Sequence, residues 1–507
     1  MFLLKRRLTA ATALALLAAT GCAPQGGGGG EGGTATASAQ AEGVTPEALR
    51  SAVGDDEALR RFYEARQWQS AWNDEGAEKL NGALNNAVRH GLDPKLFTDE
   101  AGRGGSPVER EVARTKAALS YANALAHGRT DPTRLFEVYT VARNEVDVPA
   151  GLAQAVSQNN AAEWIEGLAP QDDEYRKLSE AYVQHLQATQ QGQQGQPNPG
   201  GQASSSQNSS GQNSSGQNSS AQNSSAQNQS APKEQGKAKG RETPPGQQAP
   251  TGARDRAVVL AVNLERRRWL ARNPDGTRID VNTAASFLRY HRDGQVADQR
   301  VVVNGEPGWE TPELSSPMFR LVANPDWTVP ESIEKDELAN LSPAQLQRKN
   351  MARENGRIVQ QPGPDNALGL VKLDMRNDEA IYLHDTPSKA AFQRPLRHLS
   401  HGCVRVSDAV GFARMIAEHN GKLEEFERAM RNPERETTMV DLGRELPVRL
   451  LYHTAFLDGD RLTFAPDPYG WDAKVAEALG LPAPPASQAA EESAEEKRRR
   501  RDGDFGP

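Results

Sequence analysis

Between residues 187 and 253 the chain repeats a polar unit, "QNSSGQNSSGQNSSAQNSSAQNQS", with a period of five and almost no large apolar side chain. A stretch that can bury nothing cannot offset the entropy of ordering its backbone, about 1–2 kcal/mol per residue. Five is not the period of any stacked-repeat architecture. The segment reads as a disordered Gln/Asn/Ser-rich linker that divides the 507 residues into separate folding units. As a flexible coil, roughly 65 such residues have a root-mean-square reach of about 45 Å.

On the N-terminal side, residues 44–186 read as a helical domain. "TPEALRSAV" offers Thr45 as an N-cap with Pro46 at the first helical position. "EVARTKAALSYANALAHG" sets Val112, Ala113, Leu119, Ala122 and Leu125 near one face and ends at Gly128. Trp68 and Trp72, four apart, are read as core. On the C-terminal side, residues 254–482 read as a mainly β, α+β domain. The β-branched run Val258–Val262 is taken as a buried strand. "RIDVNTAASFLRYH", "QRVVVNG", "LGLVKLDM", "AIYLHDT" and "PVRLLYHTAFL" supply further strands between turn residues. "LSPAQLQRKNMARENG" and "SDAVGFARMIAEHN" carry helix signals, the latter capped by Ser407 or Asp408. Residues 483–507 form a charged, disordered tail in which Arg498–Arg501 are balanced by nearby acids.

Residues 1–22 read as an export signal: Lys5, Arg6 and Arg7 precede an apolar core too short to span a bilayer, which needs about 20 residues. Residues 23–43 form a flexible tether rich in Gly, Ala, Ser and Thr. The net charge of -8 gives no nucleic-acid footprint, and two cysteines cannot make a disulfide framework.

Cys403 lies in "LRHLSHGCVRVSDA". A cysteine is a nucleophile only as its thiolate, so it needs a base within hydrogen-bond reach or a positive potential. His384, His398, His401 and His419, four of the nine histidines, are the candidates in this stretch. Gly402 beside Cys403 would let the backbone approach a substrate carbonyl, and successive N–H groups could hold an oxyanion. Two plainer readings stand beside this one. Cys403 could be a buried structural residue. A metal site would need Cys-x-x-Cys or His-x-x-x-His spacing, which is missing, so no metal and no cofactor are expected.

Two resemblances add to these readings. Ala19-Thr20-Gly21-Cys22 resembles a bacterial lipobox, departing from it at Ala19, where leucine is usual. This implies lipidation of Cys22, and Ala23 after it implies the outer membrane, on the periplasmic side. Residues 362–406, "PGPDNALGLVKLDMRNDEAIYLHDTPSKAAFQRPLRHLSHGCVRV", closely resemble the catalytic stretch of YkuD-type L,D-transpeptidases. The large YcbB-like periplasmic subgroup is the nearest. "VNLERRRWL", "ANPDWTVPESI" and "FAPDPYGWD" extend the likeness, and "FYEARQWQSAW", "AVRHGLDP" and "LSYANALAHGR" resemble that subgroup's scaffold domain. The linker stands where the subgroup carries a peptidoglycan-binding domain.

The resemblance implies a cysteine acyltransferase that forms 3→3 cross-links between peptidoglycan stem peptides. Cys403 would be the nucleophile, and His384, nineteen positions earlier, a near-neutral general base and acid. Ser400, His401 and Gly402 would shape the turn and oxyanion pocket. Arg405 would hold the thiolate or bind a stem carboxylate, with a structural ion pair as its plainer role. A helical lid over residues 331–361 is implied, as is acylation of Cys403 by carbapenem-type β-lactams. The same site could instead serve an L,D-carboxypeptidase, a hydrolase that severs protein from the wall, or an inactive wall-binding lipoprotein.

Overall fold

The computed structural model describes residues 43–194, 252–431 and 436–484. The expected signal segment with Cys22, the tether before Gly43, the linker between 195 and 251 and the tail beyond 484 lie outside those residues.

The N-terminal part is a bundle of short helices around one longer helix. Thr45 caps the first, Pro46–Val53, with its hydroxyl accepting from the Ala48 N–H at 3.2 Å. Pro107–His127 is opened by a Ser106/Glu109 capping box, which satisfies otherwise orphaned backbone donors, and it ends at Gly128. Its Ala113, Leu119, Ala122 and Leu125 are buried, and Val112 is half-buried. Trp72 is buried, its indole N–H donating to Thr115 Oγ1 at 2.9 Å. Trp68 packs half-buried against the same core, though not from a helix shared with Trp72: the helix Glu57–Ala65 has ended, and Trp68 sits in a turn at φ 61°, stacked on Tyr63. The helix Asp173–Gln194 runs past the expected boundary at 186. Its front half is nucleated by burial, and Gln and Ala propagate such a helix at little cost.

The run Val258–Val262 is not a strand. It lies inside the helix Ala253–Trp269. Its apolar side chains form two stripes of helical period. Ala257, Leu260, Ala261 and Leu264 enter the core of the N-terminal bundle. Val258, Val262 and Trp269 enter a second core with Phe136, Tyr139, Tyr452 and Trp471. A helix buried on two sides has the same continuous apolar sequence as a buried strand, and "NLERRR" supplies the helix propensity that decides it. Two ion pairs are buried with it, Arg268 with Glu265 and Arg266 with Asp472. The helix therefore belongs to the bundle and to the junction, not to the β domain where it was expected to begin.

The C-terminal part holds β1 (Arg278–Asn282), β2 (Phe287–Arg292), β3 (Gln295–Gly305), β4 (Leu314–Ala323), β5 (Trp327–Thr328), β6 (Met351–Glu354) and β7 (Arg357–Gln360). These are followed by β8 (Val371–Met375), β9 (Leu383–His384), β10 (His398–Ser400), β11 (Val404–Val406), β12 (Thr438–Leu451), β13 (Ala455–Asp458) and β14 (Arg461–Phe464). Nine of them form one sheet in the order β10-β3-β11-β9-β8-β4-β12-β1-β2. Because β2 also pairs with β3, the hydrogen bonding closes into a ring with β10 attached. The helix Ala409–His419, capped by Asp408, seals its apolar side with Phe412 and Ile416.

The lid segment differs in kind from the helical one expected. Pro343–Arg348 is helical, but β5, β7 and β6 form a three-stranded antiparallel sheet, so "MARENG" turns a hairpin. The unit has its own small core of Val329, Ile333, Leu338, Leu346 and Ile358.

Removing one partner of a buried ion pair leaves an uncompensated charge. Asp472→Ala should therefore destabilise the protein by about 3–5 kcal/mol. A lowered midpoint in urea unfolding is the readout, and an unchanged midpoint would show that Arg266 finds water.

Candidate active site

The site is built on β9 and β11, which pair in parallel with Leu383 beside Val404 and His384 beside Arg405. Side chains alternate along a strand, so Leu383 and Val404 point one way, into the core, where both are fully buried. Tyr382, His384, Cys403 and Arg405 consequently leave the sheet on the opposite face. Neighbouring strands lie about 4.8 Å apart, which places Cys403 within one cross-strand step of Tyr382 and a diagonal step of His384.

The turn before β11 holds Cys403. Gly402 sits at φ 106°, a conformation closed to most L side chains. Ser400 Oγ donates to the Cys403 carbonyl at 2.6 Å, tying the turn across its base. Thr311 Oγ1 donates to the Gly402 carbonyl at 2.7 Å and accepts from the Gly305 N–H at 2.9 Å. Since C=O and N–H of a trans peptide point in opposite directions, fixing the Gly402 carbonyl aims the Cys403 N–H away from Thr311. Among the described residues no group accepts from the N–H of Gly402 or Cys403, so both donors are available to a ligand oxygen.

The sulfur of Cys403, a half-buried residue, lies 3.7 Å from the Ala380 carbonyl. Burial pushes its thiol up; the Tyr382 backbone N–H and hydroxyl, then Lys372 and Arg405, pull the other way. Burial first, and then the Cys403 sulfur, raise the Tyr382 hydroxyl well above an ordinary phenol, while Trp327 of the lid acts on it in the opposite sense. His384 is buried and pushed down to about 3, first by burial and then by the Arg405 guanidinium. That is far below the near-neutral imidazole expected. Its Nδ1 has no hydrogen-bond partner. The pair therefore rests as neutral thiol and neutral imidazole.

The other candidates separate clearly. His398 Nε2 meets the Thr283 carbonyl at 2.8 Å, which makes it a structural residue of β10. His419 Nδ1 lies 3.3 Å from the Tyr290 hydroxyl, against the sheet's far strands. His401 packs edge-on against Trp309, ring centroids 5.2 Å apart, at the rim of a groove beside the turn. Arg405 makes no ion pair among the described residues, and its Nε is buried without a partner, so the plainer ion-pair role is not seen. Among the described residues no group of three or more His, Cys, Asp and Glu is placed to hold a metal.

Two contributors escaped the sequence reading. Tyr382 sits two residues before His384 in "IYLHDTP", and the period of two could have found it. Thr311 comes from a distant loop, and nothing in "GWETPEL" announces it.

A thiol, an imidazole and backbone donors thus share one face of this strand pair and the turn before it. Comparison with known proteins gives the family. Residues 276–429 match the family model described as the L,D-transpeptidase catalytic domain, of YkuD type, and residues 57–181 match the Scaffold domain. The chain thus carries a YkuD-type L,D-transpeptidase catalytic domain together with a Scaffold domain. It is 29% identical over 239 residues to a putative L,D-transpeptidase of Haemophilus influenzae, covering 43% of this chain and 48% of that one. The chain spans about half the length of that curated relative. Among solved structures, the ertapenem-acylated catalytic domain of an Enterococcus faecium L,D-transpeptidase is 14% identical, covering 35% of this chain and 99% of that one, with a TM-score of 0.19. A mutant L,D-transpeptidase from the same organism is 13% identical, covering 36% and 52%, with a TM-score of 0.18.

A neutral resting pair has a signature independent of turnover. Alkylation of Cys403 by iodoacetamide should climb about tenfold per pH unit from roughly pH 6 to 9, since only the thiolate reacts. A plateau below pH 7 would instead reveal a preformed thiolate–imidazolium pair. Tyr382→Phe removes a donor to the thiolate, so its alkylation should be slower by about tenfold at any pH in this range.

Proposed function

We propose that the chain is an L,D-transpeptidase that cross-links peptidoglycan stem peptides. The observation that supports this reading best is the single sheet face carrying Cys403, His384, Tyr382 and Arg405 next to unclaimed backbone donors. In the first half-reaction, Cys403 Sγ attacks the carbonyl of the third residue of a donor tetrapeptide. His384 takes the thiol proton as the carbon–sulfur bond forms. The oxyanion is held by the N–H groups of Gly402 and Cys403, with the Tyr382 hydroxyl beside the sulfur. An imidazolium formed in so buried a place is a strong acid, and it delivers its proton to the leaving nitrogen as D-alanine departs. In the second half-reaction, the side-chain amine of another stem's third residue attacks the thioester. The 3→3 amide forms and the thiol is restored.

Arg405, which makes no ion pair among the described residues, is suited to a stem carboxylate through its guanidinium fork. The lid, in contact with Tyr382 through Trp327, would keep water from the thioester. Carbapenem-type β-lactams would acylate Cys403 by the same first step. We place the protein in the periplasm, held to the outer membrane by a lipid on Cys22. No helix among the described residues is long and apolar enough to cross a membrane.

Mass spectrometry of purified stem tetrapeptide incubated with the protein tests the reading. Wild type should give cross-linked dimer and free D-alanine, whereas Cys403→Ala should give neither and keep its thermal unfolding midpoint. His384→Ala should lose about 10² or more in rate. Shortened tripeptide without dimer would assign water as the acceptor and make the protein an L,D-carboxypeptidase. Dimer formed by Cys403→Ala would remove the nucleophile from the mechanism.

A further inference from the structure

Cys403 is flanked on two sides. One side is the lid, which reaches Tyr382 through Trp327. The other is an open groove of about 540 Å³ beside the nucleophile turn. Its near wall is formed by Trp309, Ile381, His401 and Gly402. Gly402, the residue before Cys403, lines it directly, and the Cys403 sulfur lies 3.7 Å from the carbonyl of Ala380, which stands between the groove residues Glu379 and Ile381.

The far wall comes from the other half of the protein. Phe136, Glu137 and Val138 lie within the Scaffold match, and they line the groove beside Trp471 and Lys474. This wall is held in place by backbone pairing. Tyr139 bridges Glu313, the Thr140 N–H donates to the Glu313 carbonyl at 3.2 Å, and the Ser315 N–H donates to Thr140 Oγ1 at 3.3 Å. Phe136 is wedged against Trp471 at 4.9 Å between ring centroids and against Trp269 at 6.3 Å. The charges in the groove are unequal, with Glu137, Glu310 and Glu379 facing the single Lys474. Glu137 and Glu379 are exposed.

We propose that this groove is the subsite for the second substrate, a peptide carrying a cationic amino group, and that Glu137 of the Scaffold segment selects for it. The proposal rests on the transpeptidase reading. A thioester formed under the lid leaves its other face toward the groove, from which an amine can approach the carbonyl. The acidic walls concentrate ammonium-bearing peptides there over a range of about 8 Å at physiological salt. The incoming ammonium gives one proton to solvent before attack; as its nitrogen bonds the carbonyl carbon and the carbon–sulfur bond breaks, His384 takes the second proton and returns it to Cys403 Sγ, so the amide replaces the thioester and the thiol is restored.

The test separates the half-reactions in the full-length protein. Thioester formation and D-alanine release are followed with donor tetrapeptide alone, and dimer formation is followed as acceptor tripeptide is titrated. In Glu137→Lys the acceptor kcat/KM should fall about 3- to 10-fold, and in Glu137→Gln by less, with the loss on the acceptor half-reaction and not on thioester formation. The difference from wild type should shrink as salt is raised from about 0.05 to 0.5 M. Unchanged acceptor dependence in both variants would overturn the proposal, as would equal losses in both half-reactions, which would mark Glu137 as structural. A wild-type protein that forms no thioester would instead overturn the transpeptidase reading itself.

Discussion

In a parallel ladder, paired residues leave the sheet on the same side, so the two-residue strand β9 decides which side chains meet the nucleophile. Its pairing with β11 puts His384 beside Arg405 and leaves Tyr382 next to Cys403. A slip of one residue would turn Leu383 toward the sulfur and bury His384 in the core. The register resists this because Leu383 and Val404 are fully buried, each worth about 1.5–3 kcal/mol. The strand ring also closes through β2 and β3, so β9 and β11 are each paired on both sides. The long neighbour β3 pairs with β11 on one side and carries Gly305, whose N–H engages Thr311 and hence the nucleophile turn. The same ladder that makes the sheet thus also aims the backbone donors.

Burial at this face acts on both reacting groups in the same sense, toward the uncharged form. It raises the thiol and lowers His384 to about 3, while Arg405 opposes the imidazolium and favours the thiolate. A neutral pair is a poor reagent toward small electrophiles, which need a standing thiolate. Toward a bound carbonyl the balance changes, because the negative charge moves from sulfur to an oxygen that preorganised donors can hold. Reactivity is therefore tied to occupancy of the oxyanion position.

How far the sequence disclosed this depends on how local each feature is. Caps and turn residues are local, so Thr45, Gly128 and Asp408 were legible at their helix ends. The placing of His384 and Cys403 on adjacent strands was legible because both lie on one short stretch with a recognisable spacing. Features set by two distant contacts were not. Val258–Val262 was misread because apolar periodicity cannot separate a strand buried on both faces from a helix buried on two sides. Thr311 serves the turn across 91 positions of sequence, and no composition signals that. The low value at His384 follows from tertiary burial beside Arg405 and not from its neighbours in sequence.

The helix Ala253–Trp269 gives that misreading a mechanical consequence. A strand at this position would have belonged to the β domain, leaving the helical bundle attached only through the linker. As a helix it shares one stripe with the bundle and the other with the junction core, where Trp269, Phe136, Tyr139 and Trp471 meet. Arg266 in the same helix is paired with Asp472 at the start of the helix Trp471–Leu479, whose Trp471 and Lys474 also line the groove. Interiors packed at crystal-like density transmit position with little compliance. The distance between the Scaffold wall and the nucleophile turn is thus fixed by the core itself, and the linker leaves it unaffected. Both walls of the groove therefore belong to one packed body.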